Sequence, residues 1–376
     1  MRNVLYSTIL RNGFFSGLLL LITILMSLSQ NLSAAGVDST LRKTTISAAY
    51  YRGLVYPHHE YIQFHNHEYI NGVDFRLGRT FPEINSRRIP TIGFGGYMSN
   101  LGNSEIFGNV YSGYVYFASP IVKLKEFTLG TNVSSGLGWI TKPNEPSLNP
   151  LNQAIGSHLN AFIVLALDFR FWASNNFSVF LGPTLTHNSN GKIKRPNTGL
   201  NIFSLKMGAE YIIKSNKAVP SQIVADPNTN DRHRINFLFS GGIQEDSKQK
   251  PIAEGVWGLN TNYSYFLGKN GRAGAGIDMF YIPTEYKYYT ENEVVLNPSP
   301  WSGGVYLGYE IVWERLSFVL QHGLRLFYEN PYESDFYSRV GIRYRFAQRY
   351  VVNCSLKTSK LVAEYIEWGI GYDLNL

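Results

Sequence analysis

The clearest signal in the chain is a two-residue alternation of apolar with polar or small side chains, sustained over long stretches. In the last of these, Trp368, Ile370, Tyr372, Leu374 and Leu376 fall on one face and Gly369, Gly371, Asp373 and Asn375 on the other. That is the parity of a β-strand with one apolar face. Val340, Ile342, Tyr344 and Phe346 alternate in the same way with Arg339, Gly341, Arg343 and Arg345. Leu316, Phe318, Leu320, Leu324 and Leu326 alternate with Ser317, Gln321, Gly323 and Arg325, and His322 interrupts the apolar row as an interfacial or packed residue. Strands that cross membranes run to about 9–11 residues, against about 5–6 in soluble sheets. A row of arginines opposite a row of apolar side chains suits a strand with one face on a wet lumen and the other on lipid.

The pattern predicts sixteen candidate strands, at 44–56, 68–81, 91–99, 106–119, 123–139, 157–173, 176–189, 199–213, 234–243, 254–267, 271–282, 302–314, 315–328, 334–346, 348–358 and 362–376. Neighbouring candidates can merge, so the fold class expected is all-β, a transmembrane antiparallel up-and-down β-barrel of about 12–16 strands, even in number. A polar segment at 214–233, with Pro220 and Pro227, divides eight candidates from eight more. Two arrangements follow: one barrel with a long loop, or an eight-stranded barrel followed by a second β-barrel. One barrel is preferred, because two would need a flexible crossing and the halves show no clear internal repeat.

The N-terminus reads as a leader. Arg2 and Arg11 bracket a basic region, Phe14 to Met26 is mostly apolar, and Ser33 and Ala35 supply small residues at the −3 and −1 positions of a cleavage site. The apolar run falls short of the ~20 residues a spanning helix needs, so residues 1–35 are expected to be a signal peptide. Its removal takes two arginines and lowers the formal charge from +7 to +5. No Lys/Arg-rich cluster with interleaved aromatics is present, which excludes a nucleic-acid-binding class. Cys354 is the single cysteine, so no intramolecular disulfide forms. Aromatics make up 15% of the chain and glycines number 35, which suits lipid-facing strands with interfacial ends. The last strand resembles the closing strand of outer-membrane proteins that the assembly machinery reads. Those usually end in Phe, and Leu376 departs from that.

The chemistry concentrates in 176–213. Val179, Leu181, Pro183, Leu185, His187 and Ser189 share one face, so the histidine and serine continue an apolar face. Side chains at i and i+2 of a strand lie side by side. His187 can then take the proton of Ser189 and make it a nucleophile. On the returning strand Asn201, Phe203, Leu205, Met207, Ala209 and Tyr211 share a face, which places Asn201 near the top of the same hairpin, where it can orient the imidazole. Glu210, the nearest downstream acid, points away by parity. The connection holds Asn190, Gly191, Lys192, Lys194, Arg195 and Asn197. Asn190, Asn197 and the Gly191 amide are candidate oxyanion donors, and the three cations suit a phosphorylated glycolipid. His58, His59, His65 and His67 fall within ten residues, in a spacing that fits no standard zinc pattern. That cluster reads as a polar loop between the first two strands, and no metal ligand is assigned.

The run His187-Asn188-Ser189-Asn190, followed by Asn197 and a glycine-containing turn into an amphipathic strand, resembles the PagL-type lipid A 3-O-deacylases. These are eight-stranded outer-membrane barrels with a Ser–His–Glu triad facing the outer leaflet and the H-x-S-N motif on the next-to-last strand. The resemblance implies His187 as base, Ser189 as nucleophile, and Asn190 and Asn197 near the oxyanion. It implies lipid A of lipopolysaccharide as substrate, outer-membrane lipids as surroundings and the bacterial outer membrane as location, and the chemistry requires no cofactor. Asn201 stands where the family has its acid, and 214–376 has no counterpart in the small family barrel. The expected organisation is therefore a signal peptide at 1–35, a deacylase-like barrel segment at 36–213, a polar linker or loop at 214–233 and further barrel strands at 234–376. Two rival readings are a non-catalytic barrel (porin, transporter or scaffold), with Arg339 to Arg345 lining an anion-attracting lumen, and an acyltransferase at the same surface.

Overall fold

The computed structural model of the chain describes residues 41–57, 60–80, 91–217, 232–245, 253–267, 271–283, 299–313, 315–329, 335–359 and 362–376. The expected leader, residues 218–231 of the expected linker, and His58 and His59 lie outside the described residues. All sixteen candidate strands form. β1 (Leu41–Val55), β2 (Ile70–Thr80), β3 (Thr91–Asn100), β4 (Asn109–Lys123), β5 (Phe127–Ile140), β6 (Leu159–Trp172), β7 (Phe177–Ser189) and β8 (Leu200–Lys217) pair in chain order. β8 then returns to β1 in a long antiparallel ladder from Leu41↔Lys217 to Val55↔Ile202 and closes the sheet. β9 (His233–Glu245), β10 (Ala253–Leu267), β11 (Gly271–Tyr281), β12 (Trp301–Trp313), β13 (Leu316–Phe327), β14 (Phe336–Phe346), β15 (Tyr350–Ser359) and β16 (Val362–Asn375) do the same, with β16 on β9.

The fold is therefore two closed eight-stranded antiparallel barrels, the second of the two arrangements, and the preferred single barrel is not formed. Eight strands curl far enough to close a sheet whose interior side chains alone can fill. Once β8 has paired with β1, neither presents an edge to β9. β8 also runs past the expected strand end: Lys214 and Ser215 pair with Thr44 and Lys43, so the start of the polar segment is strand. Among the described residues no helix is long and apolar enough to cross a membrane.

Period-two alternation has the same outcome in both barrels. Along β2, Asp74 and Arg76 are buried while Phe75 and Leu77 are exposed. Inside the first barrel Arg76 meets Asp74 at 2.6 Å, Lys206 meets Asp168 at 2.7 Å and Arg170 meets Glu210 at 2.5 Å. Tyr51 and Tyr114 donate to Asp74. An apolar cluster that includes Val55, Tyr97, Phe107, Ile140, Phe162 and Ile202 fills the remainder, with Ile62 of the short helix α1 (Glu60–His65) packed into it.

The second barrel is filled mainly by ion pairs. Arg339 reaches Glu367 at 2.5 Å and Asp278 at 3.3 Å, Arg343 reaches Glu310 at 2.5 Å, and Arg345 reaches Asp373 at 2.7 Å. Each arginine of the β14 row thus has a carboxylate opposite it. The row is neutralised by acids from β11, β12 and β16, so it does not form the anion-attracting lumen of the rival porin reading. The outer faces carry large exposed apolar side chains, such as Phe94 and Met207 on the first barrel and Leu307, Trp368 and Ile370 on the second. Soluble proteins rarely leave such extended apolar surface in water.

Candidate active site

β7 and β8 form the hairpin that carries the motif, and their register sets Asn201 directly across from His187. Burial alternates along β7: Val179 and Leu181 are exposed, whereas Phe180, Thr184, Thr186 and Asn188 are buried. His187 and Ser189 keep the parity of Val179 and Leu181, but the face is covered toward the end of the strand, and Ser189 is only 1% exposed.

His187 Nδ1 and Asn201 Oδ1 are 2.7 Å apart. An amide oxygen can only accept, so this contact requires the proton on Nδ1 and leaves the Nε2 lone pair as the base. Asn197 Nδ2 donates to Ser189 Oγ at 2.9 Å. The backbone N–H of Asn190 donates to Asn197 Oδ1 at 3.0 Å, which fixes the Asn197 amide with its NH2 group toward the serine. The connection between β7 and β8 thus folds back over the strand end. Gly191 and Lys192 make the reversal with successive positive φ angles of 65° and 60°.

The predicted donors separate into two roles. Asn197 contacts the Ser189 hydroxyl. The Asn190 side chain turns instead to Ser157, with Nδ2 donating to Ser157 Oγ at 2.9 Å, and its backbone N–H braces Asn197. At the tip of the connection Lys194 is exposed, and Lys192 and Arg195 are half-buried. Glu210 is excluded as an orienting acid, because it lies roughly 30 Å along β8 from Asn201 at the usual strand rise and pairs with Arg170.

Sequence reasoning missed two residues. Gly199 has φ +76°, and a Cβ there would sit 3.1 Å from His187 Cε1 and 3.5 Å from Ser189 Cβ. The glycine lets the backbone lie against the imidazole, and its N–H donates to Ala154 O at 3.0 Å. Only its place just before an apolar strand could have signalled it. Ser157 sits in the connection between β5 and β6, far from the motif in sequence, and nothing around it marks it. Of the histidine cluster, His65 and His67 fall within the described residues. The His65 ring packs on Tyr61 with centroids 4.7 Å apart. Glu68 accepts from Ser104 Oγ at 2.9 Å, and the Ser104 hydrogen bonds hold its carboxyl below the usual range. Among the described residues no group of three or more His, Cys, Asp or Glu is arranged to hold a metal ion.

Residues 72–210 match the family described as lipid A 3-O-deacylase (PagL), and residues 233–376 match that described as acyloxyacyl hydrolase, C-terminal domain. The boundary between the two matches falls between the two barrels. No curated protein matches the chain. Among solved structures, similar chains include the CymD monoaromatic hydrocarbon channel, at 9% identity over 90% of this chain and 89% of that one, with a TM-score of 0.21. A ferric enterobactin receptor mutant from Pseudomonas aeruginosa, in complex with enterobactin, is 10% identical over 86% of this chain and 45% of that one, with a TM-score of 0.24. Scores this low carry no inference about fold or function.

Proposed function

The chain belongs to the PagL family of lipid A deacylases, and on that premise we propose that it is an outer-membrane carboxylic-ester hydrolase that removes an acyl chain from lipid A through Ser189 and His187. The observation that carries the reading is the His187–Asn201 contact, which sets the tautomer in which Nε2 can act as a base. Ser189 Oγ attacks the acyl carbonyl while His187 Nε2 takes its proton. The negative charge on the tetrahedral oxygen is met by donors at the start of the β7–β8 connection, with Asn197 the nearest to the nucleophile. Collapse expels the sugar alkoxide, which receives the proton from His187, and leaves an acyl-serine. Water, deprotonated by the same imidazole, then releases the fatty acid and restores Ser189.

The exposed apolar faces of both barrels support placement in a bilayer. Lys192, Lys194 and Arg195 would meet the phosphates of the glycolipid. Fractionation with the outer membrane is expected, with assembly by its insertion machinery. The test is the lipid A mass profile of cells making the intact protein or Ser189→Ala. The intact protein should subtract one acyl mass and the variant none. A gain of one acyl mass would mark a transferase, and an unchanged profile with bilayer conductance would mark a pore.

Two further outcomes follow from the geometry. Asn197→Ala should lower kcat by about 10²-fold with KM little changed, the usual effect of losing one preorganised oxyanion donor. A rise in KM alone would make Asn197 a binding residue instead. Asn201→Ala should lower hydrolysis less than loss of Ser189 or His187 does, because the amide orients the base without making or breaking bonds. Asn201→Glu should retain activity, since a carboxylate also accepts from Nδ1 and stabilises the imidazolium more strongly. Deacylated lipid A per unit of folded protein reads both variants. A fully active Asn201→Ala with an inert Asn201→Glu would remove Asn201 from the site.

A further inference from the structure

The second barrel carries a serine–histidine pair of its own on its outer face. His322 breaks the apolar row of β13, and its Nδ1 lies 2.9 Å from Ser338 Oγ on β14. The two are register partners, so the contact is built into the strand pairing. A titratable side chain among lipid-facing apolar residues is unfavourable unless it has a partner and a use. Here it has a partner, and it borders a groove of about 540 Å³. Two cross-strand rows bound that groove: Ala275, Leu307 and His322 in one, and Ile277, Val305 and Leu324 in the other. Small side chains make the depression. Ala275 stands where its row-mate Leu307 is large, whereas Gly276 and Gly323 face inward against Tyr306 and Tyr337.

The groove has polarity. At one end His322 stacks on Phe336, with centroids 5.7 Å apart and planes at 7°. Phe336 opens β14, so this end lies close to the rim of the barrel, where aromatic side chains meet the membrane interface. At the other end Ala275 lies near the middle of β11, level with the apolar belt. Four strands at the usual spacing give the groove a run of about 14 Å. When the Ser338 hydroxyl donates to Nδ1, the ring carries its proton on Nε2, which then offers one donor at the rim end. A second hydrolase site is not favoured. The pair lies in mid-ladder, where backbone N–H groups are consumed by strand pairing, unlike Ser189 at a strand end.

We propose that this groove binds one fatty-acyl ester chain of a bilayer glycerophospholipid, with the ester carbonyl accepting from His322 and the tail lying toward Ala275. The polar-to-apolar course of the groove matches the course of such a chain from interface to bilayer interior, and the groove is continuous with the apolar outer face. The inference rests on the membrane placement proposed above.

The test uses the full chain reconstituted in phosphatidylethanolamine liposomes doped with phosphatidylethanolamine that carries a diazirine on one acyl chain. After illumination, adducts are mapped by mass spectrometry. Adducts should concentrate on the peptides carrying Ala275, Leu307 and His322. His322→Leu should lower that labelling about fivefold, as loss of one hydrogen bond would. Ala275→Trp, which fills the groove, should reduce it to the level of the remaining outer face. Heat-modifiable mobility reports that each variant is folded. Labelling spread evenly over the outer faces, or unchanged in folded His322→Leu and Ala275→Trp, overturns the groove and leaves the membrane reading standing. A crosslink between two copies at these residues, in place of lipid adducts, also overturns it. Failure of the folded chain to take any lipid label sinks both readings together.

Discussion

Ser189→Ala is expected to lower the rate of lipid A deacylation by roughly 10⁴-fold or more, and His187→Ala by a similar factor, because the two act as one unit. The double variant should be no slower than either single one. Asn201 holds the proton of His187 on Nδ1, and Asn197 donates to Ser189 Oγ, so the serine oxygen is fixed and its hydroxyl hydrogen is left to pass to the base. Removing either partner removes proton transfer and attack together, and what remains is substrate binding and the oxyanion donors. Single-turnover release of fatty acid from lipid A in mixed micelles, per unit of heat-modifiable protein, measures all three variants. Penalties that add in the double variant would mean that Ser189 and His187 act in separate steps, and the acyl-serine route would be wrong.

The placement of these three side chains was legible in the sequence because it depends on short-range parity. His187 and Ser189 are two residues apart on one strand, and Asn201 falls on the matching face of the next strand, so alternation and one hairpin bring them together. Glu210 was excluded by the same rule. What parity does not encode is which distant strands meet. Closure of β8 on β1 pairs residues more than 140 positions apart, such as Val55 with Ile202, and no local pattern distinguishes that from β8 passing its edge to β9. The arginine row shows the same limit. Arg339, Arg343 and Arg345 announced an inward polar face, but their partners Asp278, Glu310 and Asp373 lie on other strands, so the sequence pattern read as a charged lumen what pairing makes a neutral core. Ser157 escaped for the same reason, since it reaches Asn190 from a connection 33 residues earlier.

The neutral core of the second barrel has a measurable consequence at Arg339. Its guanidinium is 2% exposed and serves two buried acids, Asp278 and Glu367, with Gln321 accepting from Nη1 at 2.7 Å. Arg339→Ala leaves two desolvated carboxylates with no cation between them. Breaking a buried pair from one side destabilises by roughly 3–5 kcal/mol, mostly the penalty of the stranded charge. The urea midpoint of the second barrel should fall accordingly, followed by Trp301 and Trp368 fluorescence, with substitutions at Phe94 or Met207 on the first barrel's outer face as controls. The remedy separates charge from packing. Arg339→Met combined with Asp278→Asn and Glu367→Gln removes the ions together and keeps most of the volume, so it should recover much of the loss, because replacing all members of a buried ionic cluster is often close to neutral. If Arg339→Ala lowers the unfolding free energy by less than about 1 kcal/mol, the acids are reached by water, as exposed pairs are. The second barrel would then hold a hydrated lumen in place of a packed ionic core.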